Sequence, residues 1–261
     1  MVWQDILRIR TEAPLVHNIT NYVVMNTTAN ALLAIGASPV MAHATEEVAE
    51  MAGLARALVI NIGTLSAPWI EAMLAAGAAA RTRGIPVVLD PVGCGATQFR
   101  TGTAQKLIEA VKPAVIRGNA SEIRALLRAD QVTKGVDSLH TPDEVLEDAR
   151  ALSRSAQCVV VVSGAVDLIV EGDRVARVAN GHAMMTQVTG MGCTASALTG
   201  AFVAINPAPF LAAAHAMATM GVAGEIAAER SIGPGSLQLN FLDTLYGLQA
   251  ADFARRLKLQ M

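Results

Sequence analysis

Ala57-Leu-Val-Ile-Asn-Ile-Gly63 is a short, β-branched, almost wholly apolar run that ends in a polar residue and a glycine. A run of this length is read as a strand covered on both faces, as in a parallel sheet. Ser38–Ala42, Ile85–Asp90, Ala114–Arg117 and Cys158–Ser163 read the same way. Helical patterns fall between the strands at about 24–36, 46–55, 67–82, 101–111, 120–129 and 142–155. That βαβα alternation gives an α/β fold with a central, mostly parallel sheet and helices on both faces. Asp167–Glu171 and Val175–Ala179 flank Gly172-Asp173 and predict a hairpin. Helices are expected over 192–205, 208–229 and 236–258, broken at Asn206-Pro207 and at Gly233-Pro234-Gly235. With no linker, repeat or low-complexity segment, residues 1–261 read as a single domain.

Bulk composition narrows the function. Hydrophobic residues make up 52% of the chain and aromatics only 3%, which suits tight helix–sheet packing and offers little for stacking on bases. The net charge of −2 draws the chain to neither nucleic acid nor an anionic membrane. Cys94, Cys158 and Cys193 are odd in number and widely spaced, which fits a reducing, cytoplasmic setting better than a disulfide framework. Residues 1–14 lack a signal-peptide core and read as an amphipathic helix. Cys193–Ile205, the most apolar stretch, is too short to span a bilayer.

The stretch Gln187-Val-Thr-Gly-Met-Gly-Cys-Thr-Ala-Ser-Ala-Leu-Thr-Gly-Ala-Phe202 is the richest in chemistry. Gly190 and Gly192 are expected where a strand gives way to a small-residue helix, whose free N–H groups form an anion site with Cys193 at its focus. A thiol there is acidified and reactive or, on the plainer reading, a small buried hydrophobe. The other polar residues of interest fall at strand ends, where open α/β sheets bind ligands. Asp90 suits a magnesium ion or a turn cap. Asn119-Ala-Ser-Glu122 has capping-box spacing, so Glu122 either closes its own helix start or approaches metal and phosphate. Arg117 calls for a phosphate or a buried carboxylate, and Ser163-Gly164 for a phosphate or a tight turn. Asn21 lies in the polar run His17–Tyr22, which reads as a pocket wall, and Met41 is an apolar wall or core filler. His215 reads as a satisfied core histidine.

The motifs PLVHNITNYVVMN (14–26), ASPVMA (37–42), NIGTL (61–65), LDPVGCGAT (89–97), IRGNASEI (116–123), VVSGAVD (161–167), NGH (180–182), VTGMGC (188–193) and GPGS (233–236), in this order, resemble the hydroxyethylthiazole kinase family of the ribokinase-like superfamily. The resemblance implies transfer of the γ-phosphate of ATP to the primary alcohol of the thiazole, with Mg2+ as cofactor, in a homotrimer whose sites lie between subunits. It implies thiazole-alcohol contacts from Met41, Gly190 and Asn21. It also implies ATP contacts from Arg117 and Ser163, metal contacts from Asp90 and Glu122, and an anion hole of Gly190, Gly192 and Cys193. Cys193 stands where most ribokinase-like kinases place an aspartate base, Ser163 where threonine is common, and Met191 is larger than expected between the glycines. A kinase for the related pyrimidine alcohol, a nucleotide-dependent lyase or dehydratase, and a nucleotide sensor are the rival readings.

Overall fold

A computed structural model describes residues 1–127 and 142–261. Its strands are β1 (Leu15–Ile19), β2 (Ser38–Val40), β3 (Ala57–Asn61), β4 (Val87–Asp90), β5 (Val115–Asn119), β6 (Val159–Ser163), β7 (Asp167–Glu171), β8 (Arg174–Val178) and β9 (Leu259–Gln260). The helices are α1 (Val2–Glu12), α2 (Met25–Ile35), α3 (Val48–Leu54), α4 (Ala67–Arg83), α5 (Gln98–Val111), α6 (Ala120–Leu127), α7 (Pro142–Ala156), α8 (Met191–Ile205), α9 (Pro209–Glu229), α10 (Pro234–Gly247) and α11 (Ala250–Arg256). Among the described residues these strands form one sheet in the order β2-β1-β3-β4-β5-β6-β7-β8-β9. The first six run parallel and the last three antiparallel.

Both faces are covered, which is why the strands read as continuous apolar runs. Along each strand side chains alternate between faces. Val59, Val88, Val115 and Val161 join the core beneath α1, α2, α8, α9 and α10, whereas Leu58, Ile60, Leu89, Ile116 and Val160 join the core beneath α3 to α7. The order β2-β1-β3 reverses direction at β1. The carboxyl ends of β1 and β3 therefore flank the crevice where doubly wound sheets bind ligands.

Three expectations change, and one lies partly outside the described residues. β1 is a strand that the sequence does not predict: the run His17–Tyr22 reads only as a polar pocket wall, because His17 and Asn18 interrupt the apolar pattern. Both are buried in the sheet, where His17 Nε2 bonds the Ala42 carbonyl (2.8 Å) and Asn18 Nδ2 the Val16 carbonyl (2.9 Å). No strand precedes Gly190; Ala183–Gln187 is a 3-10 turn instead. The helix expected over 236–258 divides at Leu248-Gln249, where the Gln249 N–H donates to Asp252 Oδ2 (2.9 Å) and opens α11. Of the helix expected over 120–129, the last two positions lie outside the described residues. A further segment escaped the membrane argument: α9 is long and apolar enough to cross a bilayer by length and composition, and it lies inside the protein, against α8, α10 and the sheet.

His215 of α9 is indeed a satisfied core histidine. Its Nδ1 lies 2.6 Å from Asp5 Oδ2 of α1, which also accepts from Asn206 Nδ2 at 2.8 Å. This cluster ties α1 to the α8–α9 turn. Burial works to raise the Asp5 carboxyl, but the hydrogen bonds from His215 and Asn206 and the charge of His215 outweigh it and hold it below its ordinary 3.8. A depressed carboxylate stabilises the fold above its unfolded pKa and loses that contribution as pH falls through its folded value. Asp5→Asn is therefore expected to lower unfolding free energy by about 2 kcal/mol near neutral pH. In urea titrations the gap between the native protein and D5N should narrow as the pH falls below 3.8.

Candidate active site

Polar residues meet in one row because of register. Asn61 at the end of β3 pairs with Asp90 at the end of β4. Leu89 pairs with Ile116, so the next position sets Asp90 beside Arg117 of β5. All three share the parity of Val59, Val88 and Val115, and so face α8. Each is buried: Asn61 and Asp90 to 1% exposure and Arg117 to 8%.

Over this row lies the first turn of α8. Gly190 caps the helix in the left-handed region (φ +82°), and a Cβ there would lie 2.6 Å from Val24 Cγ1. Thr194 N–H donates to the Gly190 carbonyl at 2.8 Å and closes the first turn. The N–H groups of Met191, Gly192 and Cys193 precede that bond and have no partner within the helix. Gly192 serves close approach, since a Cβ on it would fall 2.7 Å from Arg117 Nη1. The guanidinium thus lies against the helix start, and its Nη2 donates to Ser163 Oγ at 2.6 Å.

A hydrogen-bond chain links the ends of the site. Asn21 Nδ2 donates to Asn61 Oδ1 (2.9 Å) and reaches Cys193 Sγ (3.5 Å). Asn61 Nδ2 donates to Asp90 Oδ2 (2.8 Å), which also accepts from Ser196 Oγ (2.7 Å). Asp90 Oδ1 is buried and has no protein partner. Burial raises the Asp90 carboxyl to about 6, against the pull of Arg117, Ser196 and Asn61 and with a further push from Glu122. Asp167, which had drawn no functional reading, is also buried near Arg117. Burial lifts it to about 6 as well, although it accepts from Gly164 N–H at 3.0 Å.

Cys193 is not an acidified thiol. Burial and the nearby Asp90 raise it to about 11, against weaker opposing effects of Asn61, Asn21 and Arg117. The helix start favours a thiolate, but desolvation beside a carboxylate wins. Glu122 makes the capping box: Oε2 accepts from Asn119 N–H (2.8 Å) while Asn119 Oδ1 accepts from Glu122 N–H (2.9 Å). Its Oε1 accepts from Gly93 N–H (2.8 Å) and holds the loop after Asp90. Met41 is half-buried just past β2, on the same edge of the sheet but two strands from Asn61. Ser196, which the sequence reading passed over, is a fully buried hydroxyl one turn below Gly192; a hydroxyl in so apolar a helix was its only signal.

A 580 Å³ cleft elsewhere, lined by Trp3, Arg10, Leu33, Tyr246 and Leu248, shares no residue with this row. The Arg10 guanidinium there is occupied by the carbonyls of Leu245, Tyr246 and Leu248.

The hydroxyethylthiazole kinase family model matches residues 6–251. The chain belongs to the hydroxyethylthiazole kinase family. It is 58% identical over 258 residues to the hydroxyethylthiazole kinase of Syntrophus aciditrophicus, covering 98% of this chain and 96% of that protein. The corresponding kinase of Nitratidesulfovibrio vulgaris strain Miyazaki F is 55% identical over 98% of this chain and 96% of its own length. The solved hydroxyethylthiazole kinase of Pyrococcus horikoshii OT3 superposes with a TM-score of 0.92 at 44% identity, covering 99% of this chain and 98% of that one. A pyridoxal kinase from Staphylococcus aureus, solved with AMP-PCP and pyridoxal, shares the fold at a TM-score of 0.65 and 15% identity over 95% of this chain and 98% of its own. Family membership thus agrees with the motif resemblance and with the ribokinase-like fold expected from it.

Because Cys193 is held near 11, its alkylation by iodoacetamide should keep accelerating with pH well above 8, with no plateau near neutrality. The rate at Cys193, followed by peptide mass against pH, checks this; a plateau at neutral pH would mean a thiolate site.

Proposed function

We propose that this site transfers the γ-phosphoryl group of ATP to the primary alcohol of 4-methyl-5-(2-hydroxyethyl)thiazole, giving the thiazole phosphate used in thiamine biosynthesis. The observation that carries the reading is the open first turn of α8 set over a buried Asp90–Arg117 pair, in a chain of this family. Phosphoryl transfer passes through a loose transition state, so positioning and charge stabilisation dominate. The N–H groups of Met191, Gly192 and Cys193 donate to the oxygens of the transferring group. Arg117, braced by Ser163 and by the helix start, adds a permanent cation beside them.

Magnesium fits the acidic residues present. Asp90 Oδ1 is a buried carboxylate oxygen without a protein partner, and each Glu122 oxygen keeps a lone pair beyond its one backbone bond. These two residues would hold the ion together with phosphate oxygens, and it would neutralise charge on the β- and γ-phosphates. Among the described residues no group of three or more His, Cys, Asp or Glu gathers that could hold a metal ion, so the ion would depend on substrate phosphates to complete its coordination.

Cys193 orients the alcohol and is not a strong base. A protonated thiol that receives a hydrogen bond from Asn21 can still donate to, or pack against, the substrate oxygen. Asn21 and Met41 contribute to alcohol binding. Tyr22 and Val23, exposed to 63% and 68% beside Asn21, support sites shared between subunits of a homotrimer. The three free thiols fit the cytoplasm.

ADP release with ATP and Mg2+ should depend on the thiazole alcohol, with phosphorylated thiazole confirmed by mass. Release with only the aminopyrimidine alcohol, or without any alcohol, overturns the substrate. In the same assay Cys193→Ala and Cys193→Ser should each lose less than about a hundredfold in kcat; a larger loss in both would restore a general base.

A further inference from the structure

Asn61 makes three side-chain hydrogen bonds at the site, as many as Asn21, yet it has no part in the proposed mechanism. Its orientation is fixed by a group that can only donate: Gly63 N–H donates to Asn61 Oδ1 at 2.9 Å. The amide nitrogen must then face Asp90, where Nδ2 donates to Oδ2 at 2.8 Å. A flipped amide would oppose NH2 to two donors and present oxygen to a carboxylate. Asn21 is fixed in the same way, because Val23 N–H donates to its Oδ1 at 3.1 Å. Its Nδ2 must therefore donate to Asn61 Oδ1 and toward Cys193 Sγ. Two backbone N–H groups thus set the polarity of the whole chain from Cys193 to Asp90.

Two consequences follow at the ends. At Asp90, Asn61 and Ser196 both occupy Oδ2, and Oδ1 is left as the uncommitted oxygen. At Cys193, the sulfur receives a hydrogen bond, so the thiol proton is not consumed by Asn21. From this geometry we infer that Asn61 is a positioning residue for phosphoryl transfer, holding the Asp90 and Cys193 ends of the site as one rigid unit. The inference rests on the kinase reading above. The Asn61 side chain is buried and engaged by Asn21, Gly63 and Asp90, so its loss should act on the chemical step and not on binding. Arg117 and Ser163, the proposed ATP contacts, make no hydrogen bond to it.

The test uses the full chain, with the native protein in parallel. Asn61→Ala should lower kcat about a hundredfold, the scale of a misplaced catalytic group, with KM for ATP within about threefold of native. Asn61→Ala/Asn21→Ala should be no more than about threefold worse in kcat than the poorer single variant, since both break one chain. Asn61→Asp covers the case in which the alanine variant fails to fold. It keeps both acceptor bonds, replaces the donor to Asp90 by a second carboxylate whose charge repels it, and should lose at least as much kcat as the alanine variant above pH 8, with an unchanged circular dichroism spectrum. A native-like kcat in either folded Asn61 variant, a loss confined to KM, or fully multiplicative effects in the double variant overturns the inference. A native protein without alcohol-dependent ADP release would instead sink the kinase reading.

Discussion

A carboxylate in the middle of a doubly covered sheet is the constraint around which this molecule is arranged. Left alone, Asp90 would give up its charge, because it is 1% exposed and an ionised group shielded from solvent costs several kcal/mol. What holds its charge is drawn from three places: Arg117 from the strand beyond, Ser196 from the helix above and Asn61 from the neighbouring strand, while the carboxylate of Glu122 works against it. Each partner is bonded or packed against another part of the fold. Arg117 is pressed against Gly192, Ser163 holds its guanidinium, and Asn61 is pinned by Gly63. The carboxylate therefore cannot be moved without moving a helix start and three strand ends.

That arrangement explains the odd chemistry of the thiol. Cys193 occupies the helix position where a developing negative charge is best tolerated, but it shares the space with Asp90 and little water. Two negative groups at that spacing oppose each other, and the carboxylate, better solvated by protein donors, keeps the charge. A cysteine at this position is compatible with an anion site because it stays neutral and leaves the backbone donors to the phosphate.

Much of the architecture was legible because its strands obey one rule, apolar on both faces, and its helices follow capped, periodic runs. β1 was hidden for the reason that makes it useful: His17 and Asn18 break the rule, and only the carbonyls of Ala42 and Val16 show how they are tolerated. At the site, Gly190, Gly192 and Cys193 could be read from the sequence because helix N-termini have a local signature. Asn61 was legible as a polar strand end at the site, but its bonding was not, and Ser196 was not legible at all, since both depend on cross-strand register, helix placement and which way an amide points, none of which is a property of neighbouring residues. The Glu122 capping box was visible as spacing; that the same carboxylate also secures Gly93 depends on a contact across 29 positions of chain.

The burial of α9 has a consequence for how the chain is made. A segment with the length and apolarity of a membrane span lies late in the sequence, after β1 to β8, and all of its hiding place but the α10 and α11 side is built from residues that leave the ribosome before it. By the time α9 emerges, the sheet and α8 can already receive it, so the span of synthesis during which it faces water or an insertion machinery is short. Chain order here acts as a safeguard against misrouting, separate from any contribution it makes to the stability of the finished fold.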